Sequence, residues 1–168
     1  MNKELMEKTI RAMVAEGKGL LAADESSGTC EKRFKSVNVP CTEENRRTYR
    51  ELLFAAPGME EYISGVILYD ETIRQKTKSG VPFAEYLAGK GVVPGIKVDK
   101  GAKALALSQG EKVTEGLDAL SERLKEYYQF GARFAKWRAV IGIGPGLPTC
   151  ACIEANSHAL ARYAALCQ

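Results

Sequence analysis

The chain has 168 residues, 45% hydrophobic and 27% charged. That is the make-up of a soluble globular protein long enough for one domain with a real core, and it excludes a disordered chain. A formal net charge of +3, with basic residues interleaved among acidic ones, gives no sign of a nucleic-acid surface. Five scattered cysteines (Cys30, Cys41, Cys150, Cys152, Cys167) form no CxxC pair, and His158 is the single histidine. Little is left for a zinc site, and the odd cysteine count suits a reduced cytoplasmic protein.

The opening segment mixes Lys and Glu with apolar residues and has no uninterrupted apolar stretch, so neither a signal peptide nor a membrane span is expected. Leu5, Met6, Ile10, Met13 and Val14 predict one face of a helix that Gly17 and Gly19 stop. "LLAAD" (20–24) follows as a short apolar run ending in a charge. "TEENRRTYRELLFAA" predicts a helix with Thr42 as N-cap, acids in the first turn and Pro57-Gly58 as its stop. "GVILYDE" (65–71) and "GIKVDKG" (95–101) are β-branched strands with charges towards their ends. Leu117, Leu120, Leu124, Tyr127 or Tyr128, and Phe130 mark a helix with Gly131 at its C-terminal end. "FAKWRAVIGI" (134–143) reads as a fourth strand, and residues 150–168 as a closing helix with Ile153, Leu160, Tyr163 and Cys167 as its stripe. His158 lies off that stripe and is expected in solvent.

Strand followed by helix, four times over, predicts parallel strands with helical crossovers. Such strands are covered on both faces and should be apolar throughout. Asp24, Asp70, Lys97, Asp99, Lys136 and Arg138 break that rule near the strand ends. A period of two aims Lys97 with Asp99, and Lys136 with Arg138, at one face. In a (β/α) barrel that face is the mouth where active sites are built. Two cations on one face call for an anion, either Asp24 and Asp99 or a ligand phosphate. Asp70 alone reads as a rim residue. "GIGPGLP" (142–148) has Leu147 where a dinucleotide loop needs its third glycine, and reads as a strand-to-helix turn. From composition alone, Arg46 and Arg47 belong to a solvated helix face.

"LLAADES", "EKRF", "TEENRRTYRELL", "GVILYDET", "GIKVDKG", "GLDALSERL", "FAKWR" and "ANSHALARYA" follow one another in a way that resembles the class I fructose-bisphosphate aldolases over nearly the whole chain. The resemblance implies an α/β fold, a parallel (β/α)₈ barrel of TIM type. Of that barrel, residues 1–168 would be a single domain: the first four βα units, a half-barrel, preceded by an N-terminal helix. It implies cleavage of fructose 1,6-bisphosphate to dihydroxyacetone phosphate and glyceraldehyde 3-phosphate through a lysine Schiff base, with no metal and no cofactor. By the same resemblance, Asp24 orients substrate and assists carbon–carbon cleavage, and Lys136 stabilises oxyanion charge. Lys97 contacts substrate hydroxyls, Arg138 joins the same polar cluster, and Arg33 and Arg46 contact substrate phosphate.

Chemically, neighbouring cations such as Lys136 and Lys97 would lower the pKa of a Schiff-base lysine by repulsion, and a carboxylate near the C4 hydroxyl would aid its proton removal. The family's glutamate pair, its nucleophilic lysine and its later phosphate site have no counterpart in these residues. The chain alone is therefore expected to be inactive. Its expected partners are a sugar bisphosphate, the missing C-terminal half-barrel and, when complete, further copies in a tetramer or dimer. The competing reading is a non-catalytic phosphosugar-binding or assembly half-barrel, with a different lyase or isomerase on the same fold as a weaker third.

Overall fold

A computed structural model describes residues 2–168. Helices α1 (Lys3–Met13), α2 (Ser27–Lys35), α3 (Glu43–Phe54), α4 (Met59–Tyr62), α5 (Asp70–Arg74), α6 (Phe83–Gly89), α7 (Leu120–Gln129) and α8 (Cys150–Cys167) alternate with strands β1 (Gly19–Ala23), β2 (Ile63–Leu68), β3 (Val93–Lys97), β4 (Gly101–Ala104), β5 (Lys112–Glu115) and β6 (Phe134–Lys136). Contacts divide the chain into two compact units, residues 2–97 with 127–135 and residues 98–126 with 136–168. Among the described residues no helix is long and apolar enough to cross a membrane.

The larger unit is built on a sheet of order β1-β2-β3-β6, in which β1, β2 and β3 are parallel. The register sets Ala23 beside Leu68 and Leu68 beside Ile96. These three, with Val66, are buried, and Phe54, Ile73, Phe83 and Leu87 complete the core. Phe54 and Phe83 meet edge to face at 5.2 Å. Coverage on both sheet faces, the expectation for parallel strands, is not what is found. On the other face Leu20 is 46% exposed, and Ala22, Ile67 and Val93 are not buried either. Gly65 and Gly95 on that face are buried because the ring of Phe134 lies across them. A Cβ on Gly95 would run into that ring. The apolar stripe of α1 is also partly open, with Leu5, Ile10 and Val14 exposed.

Helix starts follow local rules. Asn2 and Thr42 cap α1 and α3, accepting from Leu5 N at 3.0 Å and Asn45 N at 3.2 Å. Helices α2 and α3 are tied to the end of β1 through Glu25. Its carboxylate takes the guanidinium of Arg50, only 2% exposed, and that of Arg33. Arg50 also donates to the Glu25 carbonyl at 2.8 Å, and Tyr49 Oη donates to the Glu25 carboxylate at 3.3 Å. Burial pushes the Glu25 carboxyl up, but its own backbone N–H and the Arg50 guanidinium outweigh burial and hold it below the ordinary value of 4.5.

The smaller unit holds the antiparallel β4–β5 hairpin, which sequence patterning did not anticipate, and α8 packed on β5. Thr149 caps α8, accepting from Cys152 N at 3.2 Å. The buried face of α8 is Cys152, Asn156 and Ala159. Ile153 and Leu160, expected in the core stripe, are exposed, as is His158. Three strands are shorter than their sequences suggest, the third ending at Lys97 rather than at Gly101. The second runs Ile63–Leu68 and Asp70 opens α5, while the fourth stops at Lys136 and residues 137–143 lie outside it. At the end of the fourth the physical reason is that side chains take over the backbone bonds: Arg138 N donates to Asp99 Oδ2 at 3.3 Å and Arg138 O accepts from Thr114 Oγ1 at 2.7 Å. Helices α2, α5 and α6 were likewise not read from the sequence.

Gly95→Ala should destabilise the chain by about 1–3 kcal/mol, because the Phe134 ring is rigid and must shift; urea unfolding measures it. For Glu25, a depressed folded value means its stabilisation is complete above 4.5 and is lost as pH falls through that lower folded value. Glu25→Gln should cost about 3 kcal/mol at neutral pH by leaving Arg50 buried without its counter-ion. The melting difference from the unmodified chain should shrink on acidification.

Candidate functional site

Within the larger unit, Asp24 directly follows Ala23 and Lys97 directly follows Ile96, and Ala23 and Ile96 share one register row through Leu68. Registered neighbours in parallel strands point to the same side, and the next residue points to the other. Asp24 and Lys97 therefore leave the sheet together, on the open face, two strands or about 10 Å apart. Both are half-buried. The sequence put Lys97 and Asp99 on one strand face; β3 ends at Lys97, so alternation does not extend to Asp99.

Arg33 is in the last turn of α2 with its side chain 56% exposed. Besides Glu25 it donates to Tyr49 Oη at 2.9 Å. Charge from Glu25 raises its own pKa further. Arg46 is only 16% exposed, paired in two-pronged fashion with Glu71 at 2.7 and 2.6 Å and donating to Cys41 O at 2.8 Å. The bond to Glu71 raises the Arg46 guanidinium above its ordinary value. Arg47 is held by Glu44 and Glu51. The solvated face expected from composition is thus an ion-paired one. Acids from outside the local i±4 window, Glu71 for Arg46 and Glu25 for Arg50, are what composition could not supply. Asp70 takes Arg74 at 3.1 Å and the Tyr127 hydroxyl at 2.8 Å, as suits a rim residue.

The sequence reading passed over Glu25 and Arg50. A signal was present: Arg46, Arg50 and Phe54 recur at four-residue spacing, and such spacing puts two arginines on the face of a buried phenylalanine. An arginine there needs an acid, and Glu25 stands beside Asp24.

In the smaller unit, Lys136, Trp137 and Arg138 are held by their backbones and one ring. Val98 N donates to Lys136 O at 3.1 Å. The Trp137 ring lies 5.4 Å from that of Tyr163 on α8. Arg138 is bonded at its N–H by Asp99 and at its carbonyl by Thr114. Asp99 is buried and its Oδ1 accepts from Gly101 N at 3.1 Å. Because β6 ends at Lys136, the shared face expected for Lys136 and Arg138 does not rest on strand alternation: Lys136 is half-buried and Arg138 exposed. Burial pushes the phenol of Tyr163 well up from its usual value.

A carboxylate and an ammonium on one open sheet face, with an exposed guanidinium elsewhere in the same unit, form a polar set fit for a hydroxylated anion. Residues 4–168 match the family model for class I fructose-bisphosphate aldolase, described as glycolytic. The chain is 66% identical over all of its length to a Xanthomonas axonopodis pv. citri protein named "Probable fructose-bisphosphate aldolase class 1", covering 50% of that relative. It is 57% identical to fructose-bisphosphate aldolase 1 of Toxoplasma gondii, over 99% of this chain and 46% of that one. Among solved structures, the fructose-bisphosphate aldolase of Plasmodium falciparum, crystallised with TRAP and a small-molecule inhibitor, superposes with a TM-score of 0.93. The identity there is 48%, over 98% of this chain and 48% of that one. The chain spans about half the length of the curated relatives it matches. With an α/β fold on a parallel sheet and a family match from residue 4 to residue 168, the chain belongs to the class I fructose-bisphosphate aldolases.

Proposed function

We propose that residues 1–168 supply the first four βα units of a TIM-type aldolase barrel, one half of a single barrel domain, and the part of its site that binds and orients fructose 1,6-bisphosphate. The observation that carries this reading is the register that sends Asp24 and Lys97 out together on the open face of the sheet. Sheet faces that carry Leu20, Ile67 and Val93 half-exposed are completed in a closed barrel by further strands. The carboxylate of Asp24 orients the C4 hydroxyl and accepts its proton as the bond between C3 and C4 opens. The ammonium of Lys97 holds substrate hydroxyls, and Lys136 stabilises the oxyanion that develops on the departing fragment. Arg33 and Arg138, both exposed at the guanidinium, suit phosphate as planar two-pronged donors. Arg46 takes that role only by sharing its guanidinium with Glu71.

The electron sink for this cleavage is an iminium on a lysine, and no lysine of this chain stands in the family's nucleophile motif. The 168-residue chain is therefore inactive alone and works when joined to the other half of the barrel, in a cytoplasmic dimer or tetramer. Borohydride trapping with dihydroxyacetone phosphate, read by intact mass, tests this on two samples: the chain alone, and the chain fused to the C-terminal half of its Xanthomonas relative. The expected result is an adduct only on the fusion, whose turnover Asp24→Ala lowers at least about a hundredfold. An adduct on the short chain would overturn the missing nucleophile. A folded fusion that traps nothing would sink the aldolase reading and leave a phosphosugar-binding half-barrel.

A further inference from the structure

Residues 139–148 connect Arg138 to the helix cap Thr149 and lie outside every helix and strand. Ile143 within them is 90% exposed, and their own backbone bonds are local, between Gly144 and Leu147 at 3.0 and 3.3 Å. Both ends of this segment, however, are fastened to one short piece of chain. At the first end Thr114 Oγ1, buried in β5, donates to Arg138 O at 2.7 Å. At the second, the carboxylate of Glu111, also buried, accepts from Thr149 N at 2.8 Å and from Thr149 Oγ1 at 2.7 Å. The hairpin strand that carries both is itself held to α8, since Asn156 Nδ2 donates to Lys112 O at 2.9 Å. A buried carboxylate spent on a helix cap and a buried hydroxyl spent on a loop carbonyl are costly places for polar groups unless their bonds are made. Here every one of those bonds converges on the two ends of a single loop.

We propose that Thr114 and Glu111 are positioning residues: the β4–β5 hairpin is a clip that fixes the backbone of Arg138, so that its exposed guanidinium is already placed when a substrate phosphate arrives. This rests on the sugar-bisphosphate reading above. An arginine on loose backbone loses conformational entropy when an anion orders it, and one whose N–H and carbonyl are pinned beforehand does not. Thr114 acts on the substrate only through Arg138, and Glu111 only by fastening the far end of the loop that Arg138 opens.

Two readouts on the 168-residue chain separate the clip from the function it serves. Amide hydrogen exchange over residues 138–149 reads the clip with no ligand present, and calorimetric titration with fructose 1,6-bisphosphate reads the site. Thr114→Val, which keeps the shape and removes the hydroxyl, should raise exchange in the segment and weaken fructose 1,6-bisphosphate binding, each about tenfold. Thr114→Ser should restore both. Glu111→Gln loosens the other end of the same loop and supplies the test if the valine variant does not fold. Unchanged exchange in both variants overturns the clip. Faster exchange with unchanged affinity overturns the positioning role and leaves a purely structural fastening. An unmodified chain that binds no fructose 1,6-bisphosphate overturns the positioning role of Thr114, while the exchange result still reports on the clip by itself and trapping on the fusion decides the substrate reading separately.

Discussion

The buried guanidinium of Arg50 is the constraint on which the larger unit depends. A charge taken out of water at 2% exposure is tolerable only beside a counter-ion. Glu25 supplies both its carboxylate and its backbone carbonyl. Glu25 is also the second residue past β1, so the ion pair fixes where the chain leaves the sheet. Asp24, caught between the last paired residue of β1 and the anchored Glu25, has little backbone freedom. Arg33 and Tyr49 join the same carboxylate from α2 and α3, which makes the turn after β1 a junction of three elements. In the proposed site, Asp24 gains its precision from a neighbour that never needs to touch the substrate.

Packing on the open face of the sheet follows a different rule. Glycines at 65 and 95 remove side chains from the centre of two strands, and the Phe134 ring occupies the space. The ring buries backbone at Gly65 and Gly95 that would otherwise face solvent, but it leaves Leu20 exposed and Val93 half-buried. The result is a parallel sheet whose two faces differ: one a packed core, the other apolar at its centre and charged at the C-terminal edge. In the proposed barrel this second face is the interior, a reading under which residues so apolar as Leu20 and residues so polar as Asp24 belong together in sequence.

What the sequence revealed and what it hid divide along one line, the range of the interactions involved. Thr42 was recognisable as a cap because its bond to Asn45 is three residues long. Lys97 was recognisable because strand alternation is a local rule and the glycines around it are local signals. The composition of its neighbourhood suggests solvent for Arg46, whereas Glu71, 25 residues away, draws it inward. The β4–β5 hairpin escaped notice because two four-residue strands are too short to establish a period. The fourth strand was overextended because "WRAVIGI" has the β-branched composition of a strand, while Asp99 and Thr114, distant in sequence, claim the backbone groups a ladder would have used. The core stripe of α8 was misplaced for a related reason: Asn156, polar by type, is buried by its bonds to Lys112 and Cys152.

The same line accounts for where the proposed site residues stand. Asp24 follows the end of β1, Lys97 ends β3 and Lys136 ends β6. Inside a ladder a side chain is committed to packing, and well beyond it the backbone is free to wander. At the boundary the backbone still inherits the rigidity of the sheet while the side chain is released from the core. Arg138 lies two residues past such a boundary and has lost that inheritance. Side chains from Asp99 and Thr114 bond its amide and carbonyl as a neighbouring strand would have done, so that rigidity supplied by the ladder at Lys97 is supplied by a hairpin at Arg138.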